Sequence, residues 1–130
     1  MALLFLTFDS GINDPDRILV FSSEKGLDDL ESSRNWACDG TTKVSPSLWC
    51  QLVTLHVIIG GSCVPRVFAL LPDKRESTYY RLFSAIRNLR ENCKPETCLM
   101  DFEQVLHKSF LSLFTQSEVV GYVFHLGQSI

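Results

Sequence analysis

The strongest constraint on this chain is a pair of long apolar segments, Gln51 to Gly60 and Cys63 to Leu71, joined across Gly60-Gly61-Ser62. In the first, Val53, Leu55, Val57 and Ile59 alternate with Leu52, Thr54, His56 and Ile58, so both faces are apolar. Such a segment reads as a strand covered on both sides. Its partner carries Pro65, which lacks an N–H for the ladder, and this places the second strand at a sheet edge. Upstream, Asn35 to Thr42 forms a third strand around Trp36-Ala-Cys-Asp39-Gly-Thr41. Three successive strands with short connections pair antiparallel.

The remaining segments surround this unit. Arg17 to Phe21 is a short apolar strand, and Ser22 or Ser23 caps a helix over Glu24 to Ser32 whose Leu27 and Leu30 face inward. Ser77 to Arg90 has helical spacing, with Tyr79, Leu82, Phe83, Ile86 and Leu89 as its apolar stripe. Arg81, Arg87 and Arg90 fall outside that stripe, as a solvated face or as contacts to a phosphate backbone. Thr97 to Met100 is a buried strand that delivers Asp101, Phe102 to Phe114 is a second amphipathic helix, and Glu118 to His125 is a last strand. Helical crossovers add the later strands in parallel on the opposite side of the sheet. The expectation is one α/β domain over residues 17–130, preceded by an N-terminal tail over 1–16.

Composition narrows the function. At 130 residues, 45% hydrophobic and 21% charged, the chain has the makings of a single globular core. A net charge of −3 argues against a free-standing basic nucleic-acid clamp, but not against an enzyme whose bound cations supply positive charge. Five cysteines without a CxxC pair read as reduced packing residues, hence an intracellular protein, nuclear or cytoplasmic and not secreted. The opening apolar run lacks a basic leader and is broken by Asp9, and no run is long enough to span a bilayer.

Asp39 and Asp101 are the candidate site. If their strands pair in parallel, the two carboxylates meet at neighbouring carboxyl ends, where open α/β sheets place ligands. Carboxylate oxygens suit Mg²⁺, which is commonly held by one or two carboxylates with phosphates completing its shell. His56 reads as a hydrogen-bonded sheet residue, His107 as an exposed mid-helix residue, and Glu103 as a partner of the helix N-terminus.

Taken in order, several stretches resemble the catalytic domain of Mutator-like (MULE) transposases. They are Trp36-Ala-Cys-Asp39-Gly-Thr, Gln51-Leu-Val-Thr-Leu-His56, Val64-Pro65 and Ala69-Leu-Leu-Pro-Asp-Lys74, followed by Thr78-Tyr79, Asp101-Phe-Glu103 and Phe124-His125-Leu-Gly-Gln128. The resemblance implies a ribonuclease-H-like mixed sheet, three antiparallel strands followed by parallel ones with flanking helices. It also implies Asp39 and Asp101 as the first two acids of a DDE triad holding two Mg²⁺ or Mn²⁺ ions for DNA strand cleavage and transfer. The implied partners are transposon-end and target DNA and a homo-oligomer, with no membrane. The family's third acid, a glutamate on a helix beyond the final strand, has no counterpart before Ile130. The family's Cys-x-x-His pair, implied to bind metal or to position target DNA, is reduced to His125, with Tyr122 in the cysteine position, so that His125 is a candidate DNA-positioning residue. The alternative is a catalytically inactive remnant serving as a DNA- or protein-interaction module.

Overall fold

The computed structural model describes residues 3–42, 49–101 and 103–121 of the chain. Its strands are β1 (Phe5–Asp9), β2 (Leu19–Ser22), β3 (Asn35–Thr41), β4 (Gln51–Ile59), β5 (Ser62–Leu71), β6 (Thr97–Met100) and β7 (Glu118–Gly121). Helix α1 (Glu24–Ser32) lies between β2 and β3, α2 (Glu76–Leu89) between β5 and β6, and α3 (Gln104–Leu113) between β6 and β7. The seven strands form one sheet in the order β1-β2-β5-β4-β3-β6-β7. Pairing is antiparallel from β1 to β3, then parallel between β3 and β6 and between β6 and β7. The chain is therefore an α/β protein with a mixed sheet, and β3 is the strand at which the pairing sense changes.

The β4–β5 hairpin follows from its turn. Ile59 pairs with Ser62, so Gly60 and Gly61 alone make the connection. Both have positive φ, +55° and +82°, as a two-residue turn that matches strand twist requires. The expectation that Pro65 puts β5 at an edge is corrected: β5 pairs with β2 as well as β4. The reason is length. Strand β2 has four residues and covers only Val67 to Leu70, so Pro65 lies beyond its reach, opposite His56 at a β-bulge. The missing N–H is accommodated locally while the strand remains interior.

A second correction concerns the faces. Along β4 the residues alternate between buried and half-buried, so the strand is covered fully on one side only. Trp36, Cys38, Val53, Leu55, Val57, Val67, Ala69, Cys98 and Met100 form the buried face and join Leu27, Leu30, Leu82, Phe83, Ile86 and Phe110 in one core. All three helices pack on that face. Residues 1–16, expected as a tail, include β1, which pairs with β2 and extends the sheet.

Trp36 anchors the packing. Its indole N–H donates to the Leu30 carbonyl at the end of α1 (3.0 Å), and its ring meets Phe110 and Phe114 edge-on at 6.2 and 5.3 Å. Phe83 of α2 meets Phe110 at 5.2 Å in the same manner. Each such pair adds about 0.5–1.5 kcal/mol beyond the area it buries. The start of α1 follows the capping expectation, with the Gly26 N–H donating to Ser23 Oγ at 2.9 Å.

The three arginines outside the α2 stripe are engaged within the fold. Arg90 reaches Glu24, Asp28 and Glu31 of α1 at 2.9, 2.6 and 3.2 Å. Arg81 pairs with Asp14, and Arg87 donates to the Leu113 carbonyl and stacks over the Phe114 ring. They read as ties between elements before they read as phosphate contacts. Among the described residues, no helix is long and apolar enough to cross a membrane.

Candidate functional site

Alternation along β3 divides its side chains. Trp36, Cys38 and Gly40 lie on the helix-covered face, and Ala37, Asp39 and Thr41 on the other. Asp39 is exposed and pairs across the ladder with Thr54, two positions along from the Ala37–His56 pair and on the same face. Its charge reaches that neighbourhood. Burial lowers the pKa of His56 below the ordinary imidazole value, and the Asp39 carboxylate acts in the opposite direction. The thiol of Cys63 is raised by burial and, secondarily, by Asp39.

Asp101 stands just past β6. Because β6 runs parallel to β3 with Met100 opposite Cys38, Asp39 and Asp101 occupy the next level positions at two neighbouring carboxyl ends. Adjacent strands lie ~4.8 Å apart. The sequence expectation of strand-end aspartates on neighbouring parallel strands therefore matches the register. The backbone at Asp101 is pinned: its carbonyl accepts from the Glu103 N–H at 2.8 Å and lies 2.6 Å from His107 Nε2. That contact corrects the reading of His107, which is half-buried and turned back toward the strand end.

Beside these strand ends lies a mainly polar cavity of about 200 Å³ lined by Cys38, Gly40, Gln51, Lys74, Tyr79, Asp101 and Glu103, with Val53 and Leu106 behind them. Gln51 organises its floor. Its side-chain amide donates to the Tyr79 hydroxyl at 3.0 Å and to the Asp73 carbonyl at 3.3 Å. Burial pushes the Tyr79 phenol well above its ordinary value; the Gln51 hydrogen bond opposes this, and the Glu103 carboxylate adds to it. The hydroxyl is thus kept protonated between an amide and a carboxylate. Glu103 is the N-cap residue of α3, yet its side chain makes no capping hydrogen bond. The residue stands at the helix N-terminus, as expected, and lines this cavity as well.

Gly40 has a steric role here. A Cβ at this position would lie 2.7 Å from Gln51 Oε1, so the glycine of Asp39-Gly40-Thr41 leaves room for the buried glutamine. The Cys38 thiol, buried beneath the same floor, is raised to about 12, by burial first and then by the Asp39 and Glu103 charges. It is a packing residue at neutral pH, as are the buried Cys93 and Cys98.

Of the two aspartates singled out in the sequence, Asp101 lines this cavity and Asp39 does not. Sequence reasoning passed over Gln51, Lys74 and Glu103 as cavity residues. It placed Tyr79 only in an apolar stripe. Two signals pointed to them: a lone amide opening an otherwise apolar strand, and a tyrosine where phenylalanine would fill the stripe without needing a partner. His125, with Tyr122, lies outside the described residues.

The donor set can be tested against the implied Mg²⁺ or Mn²⁺. Among the described residues, no group of three or more His, Cys, Asp or Glu side chains is placed to hold a metal ion. Two carboxylates at adjacent strand ends remain, hard oxygen donors of the kind that Mg²⁺ accepts with water and phosphate completing its shell. The donor atoms are of the right kind. Alternation, however, puts Asp39 on the uncovered face of β3, whereas Asp101 lines the cavity on the helix-covered face with Cys38 and Gly40, and Asp39 is not among the residues lining it. Comparison of the chain with known protein families and with characterised proteins returns no match.

Proposed function

We propose that this chain is a ribonuclease-H-like domain of the Mutator-like transposase kind, which acts on DNA phosphodiesters through divalent ions bound at Asp39 and Asp101. The observation supporting this reading is the parallel register of β3 and β6, in which Cys38 lies opposite Met100, one residue before each aspartate, where the sheet changes from antiparallel to parallel pairing. The strand order supports it: β5-β4-β3 antiparallel, then β6 and β7 added in parallel on the other side, is the arrangement the resemblance implies. When bound, Mg²⁺ or Mn²⁺ activates the attacking oxygen and stabilises the departing one. The chain's own residues hold the end of β6, through the Glu103 N–H and His107 at the Asp101 carbonyl, and carry a cation, Lys74, at the cavity wall. The DNA, nuclear location and homo-oligomer of the family belong to the same proposal.

A second reading, an inactive remnant acting as an interaction module, draws on one observation: no third donor joins the two aspartates among the described residues. Titration with Mn²⁺, followed by calorimetry or electron paramagnetic resonance, tests the first part. Asp39→Asn and Asp101→Asn each weaken binding about tenfold or more, since even outer-shell partners contribute that much to metal affinity. Unchanged Mn²⁺ binding in both folded variants refutes the metal site. Nicking of supercoiled DNA then separates the readings: metal-dependent cleavage by wild type supports the enzyme, and intact metal binding without cleavage supports the module.

A further inference from the structure

Gln51 is 3% exposed, and among the described residues its side chain makes hydrogen bonds through Nε2 alone. The orientation of that amide is fixed. The Asp73 carbonyl can only accept, so Nε2 must face it, and the Tyr79 hydroxyl takes the other N–H. Oε1 therefore turns the opposite way, to within 2.7 Å of where a Cβ on Gly40 would stand. Gly40 and Gln51 both line the polar cavity at the ends of β3 and β6, together with Glu103 and Asp101. The cavity thus offers a buried amide oxygen that accepts from no donor among the described residues, close to two carboxylates. A buried acceptor of this kind gains most from a donor that arrives with a ligand. Lys74 supplies the opposite charge. It is exposed, lines the same cavity and makes no ion pair among the described residues.

We infer that this cavity binds a small zwitterion, whose primary ammonium lies against Gln51 Oε1, Glu103 and Asp101 and whose anionic group meets Lys74. An ammonium brings three N–H donors and no acceptor, which suits the three acceptors on the inner side. An amine without an anionic group sets a second cation beside Lys74, and an anion without an ammonium faces two carboxylates. Both are unfavourable in a partly enclosed site, where charges are weakly screened. Burial raises the Tyr79 phenol, so the floor adds no third negative charge. A cavity of about 200 Å³ is about six times the ~30 Å³ share of one water molecule in the liquid, room for a ligand of about five to eight non-hydrogen atoms. A ligand of that size binds at about 0.1–10 mM. The inference does not rest on the metal reading, because Asp39 lies on the other face of β3 and does not line the cavity.

Glycine, β-alanine, γ-aminobutyrate and δ-aminovalerate carry the two charges at rising separation and serve as probes. They are titrated into the full chain by calorimetry, beside butylamine, butyrate and Mn²⁺. One member of the series is expected to bind at least about fivefold more tightly than butylamine or butyrate, and to shift the Gln51 side-chain amide in proton–nitrogen spectra. Lys74→Gln, at the surface, is expected to weaken that zwitterion about fivefold and not to weaken butylamine. Glu103→Gln is expected to weaken both about tenfold or more. Asp39→Asn is expected to change neither, which separates this site from the proposed metal site. Urea unfolding checks that each variant is folded. No binding of any member at about 20 mM, butylamine or butyrate binding as tightly as the best zwitterion, or Mn²⁺ as the sole ligand of the cavity would each overturn the inference. So would zwitterion binding that ignores Lys74→Gln or Glu103→Gln, or that is lost in Asp39→Asn.

Discussion

Gly40→Ala offers the sharpest test of the architecture around the strand ends. The added methyl would sit 2.7 Å from Gln51 Oε1, closer than real Cβ contacts allow. A surface glutamine would swing away at little cost, but Gln51 is 3% exposed and its amide is bonded to the Tyr79 hydroxyl and the Asp73 carbonyl. Moving it breaks two hydrogen bonds, each worth about 0.5–1.5 kcal/mol net, and leaves a buried amide short of partners. Against this, alanine gains about 0.5–1 kcal/mol over glycine within a strand. The hydrogen-bond loss is larger, so the substitution should destabilise the fold by about 1–3 kcal/mol. Removing the obstruction reverses the balance: in a Gln51→Ala background the same change should be neutral or slightly stabilising, giving a coupling energy of about 1–3 kcal/mol. Urea unfolding followed by tryptophan fluorescence, with Trp36 fully buried in the native state, measures all four corners of the cycle. An equal cost of Gly40→Ala in both backgrounds would refute the steric argument and the role given to Gln51.

Arg90→Ala should lower stability by about 1 kcal/mol, because one largely buried guanidinium serves three carboxylates of α1 whose own exposure limits each pair. Repeating the measurement in 1 M NaCl should shrink the difference if the ties are electrostatic, and a salt-independent loss would assign it to packing instead. Acid should act through Asp9 and Asp14. Hydrogen bonds from Arg17 and Gly11 hold Asp9 at about 2, and hydrogen bonds from Ser10, Asp16 and Arg81 hold Asp14 at about 2. Their folded-state values lie below the unfolded value near 4, so their contribution is complete above pH 4 and is lost as pH falls toward 2. Arg17→Gln should flatten that part of the stability–pH curve, and a curve unchanged by it would remove Asp9 from the account.

Much of the fold is written locally. The Ser23 cap, the Tyr79–Ile86 stripe and the Gly60-Gly61 turn each depend on neighbours a few residues away, and each is readable from spacing and residue type. What escaped depends on partners distant in sequence. Pro65 signals an edge only to a reader who cannot know that β2 stops short of it. The apolar alternation of β4 specifies two apolar faces, but not that α1, α2 and α3 all settle on one of them. At the site, the two aspartates were visible because strand-end acids are conspicuous. Gln51, Lys74 and Glu103 were not, since their convergence depends on where β4, the β5–α2 connection and α3 meet in space.

The parallel seam between β3 and β6 has a kinetic consequence. The Thr97 hydroxyl and the Asn35 side chain that join across it are 62 residues apart along the chain, whereas the β4–β5 hairpin closes over two glycines. Long closures cost more entropy before any contact compensates for it, so nearby pairings assemble first. The antiparallel half can therefore form while Asp39 still lacks its neighbour. A site of the kind proposed, spanning Asp39 and Asp101, would exist only once this crossover has closed, and a fluctuation that reopens the seam would remove it while most of the molecule stays intact.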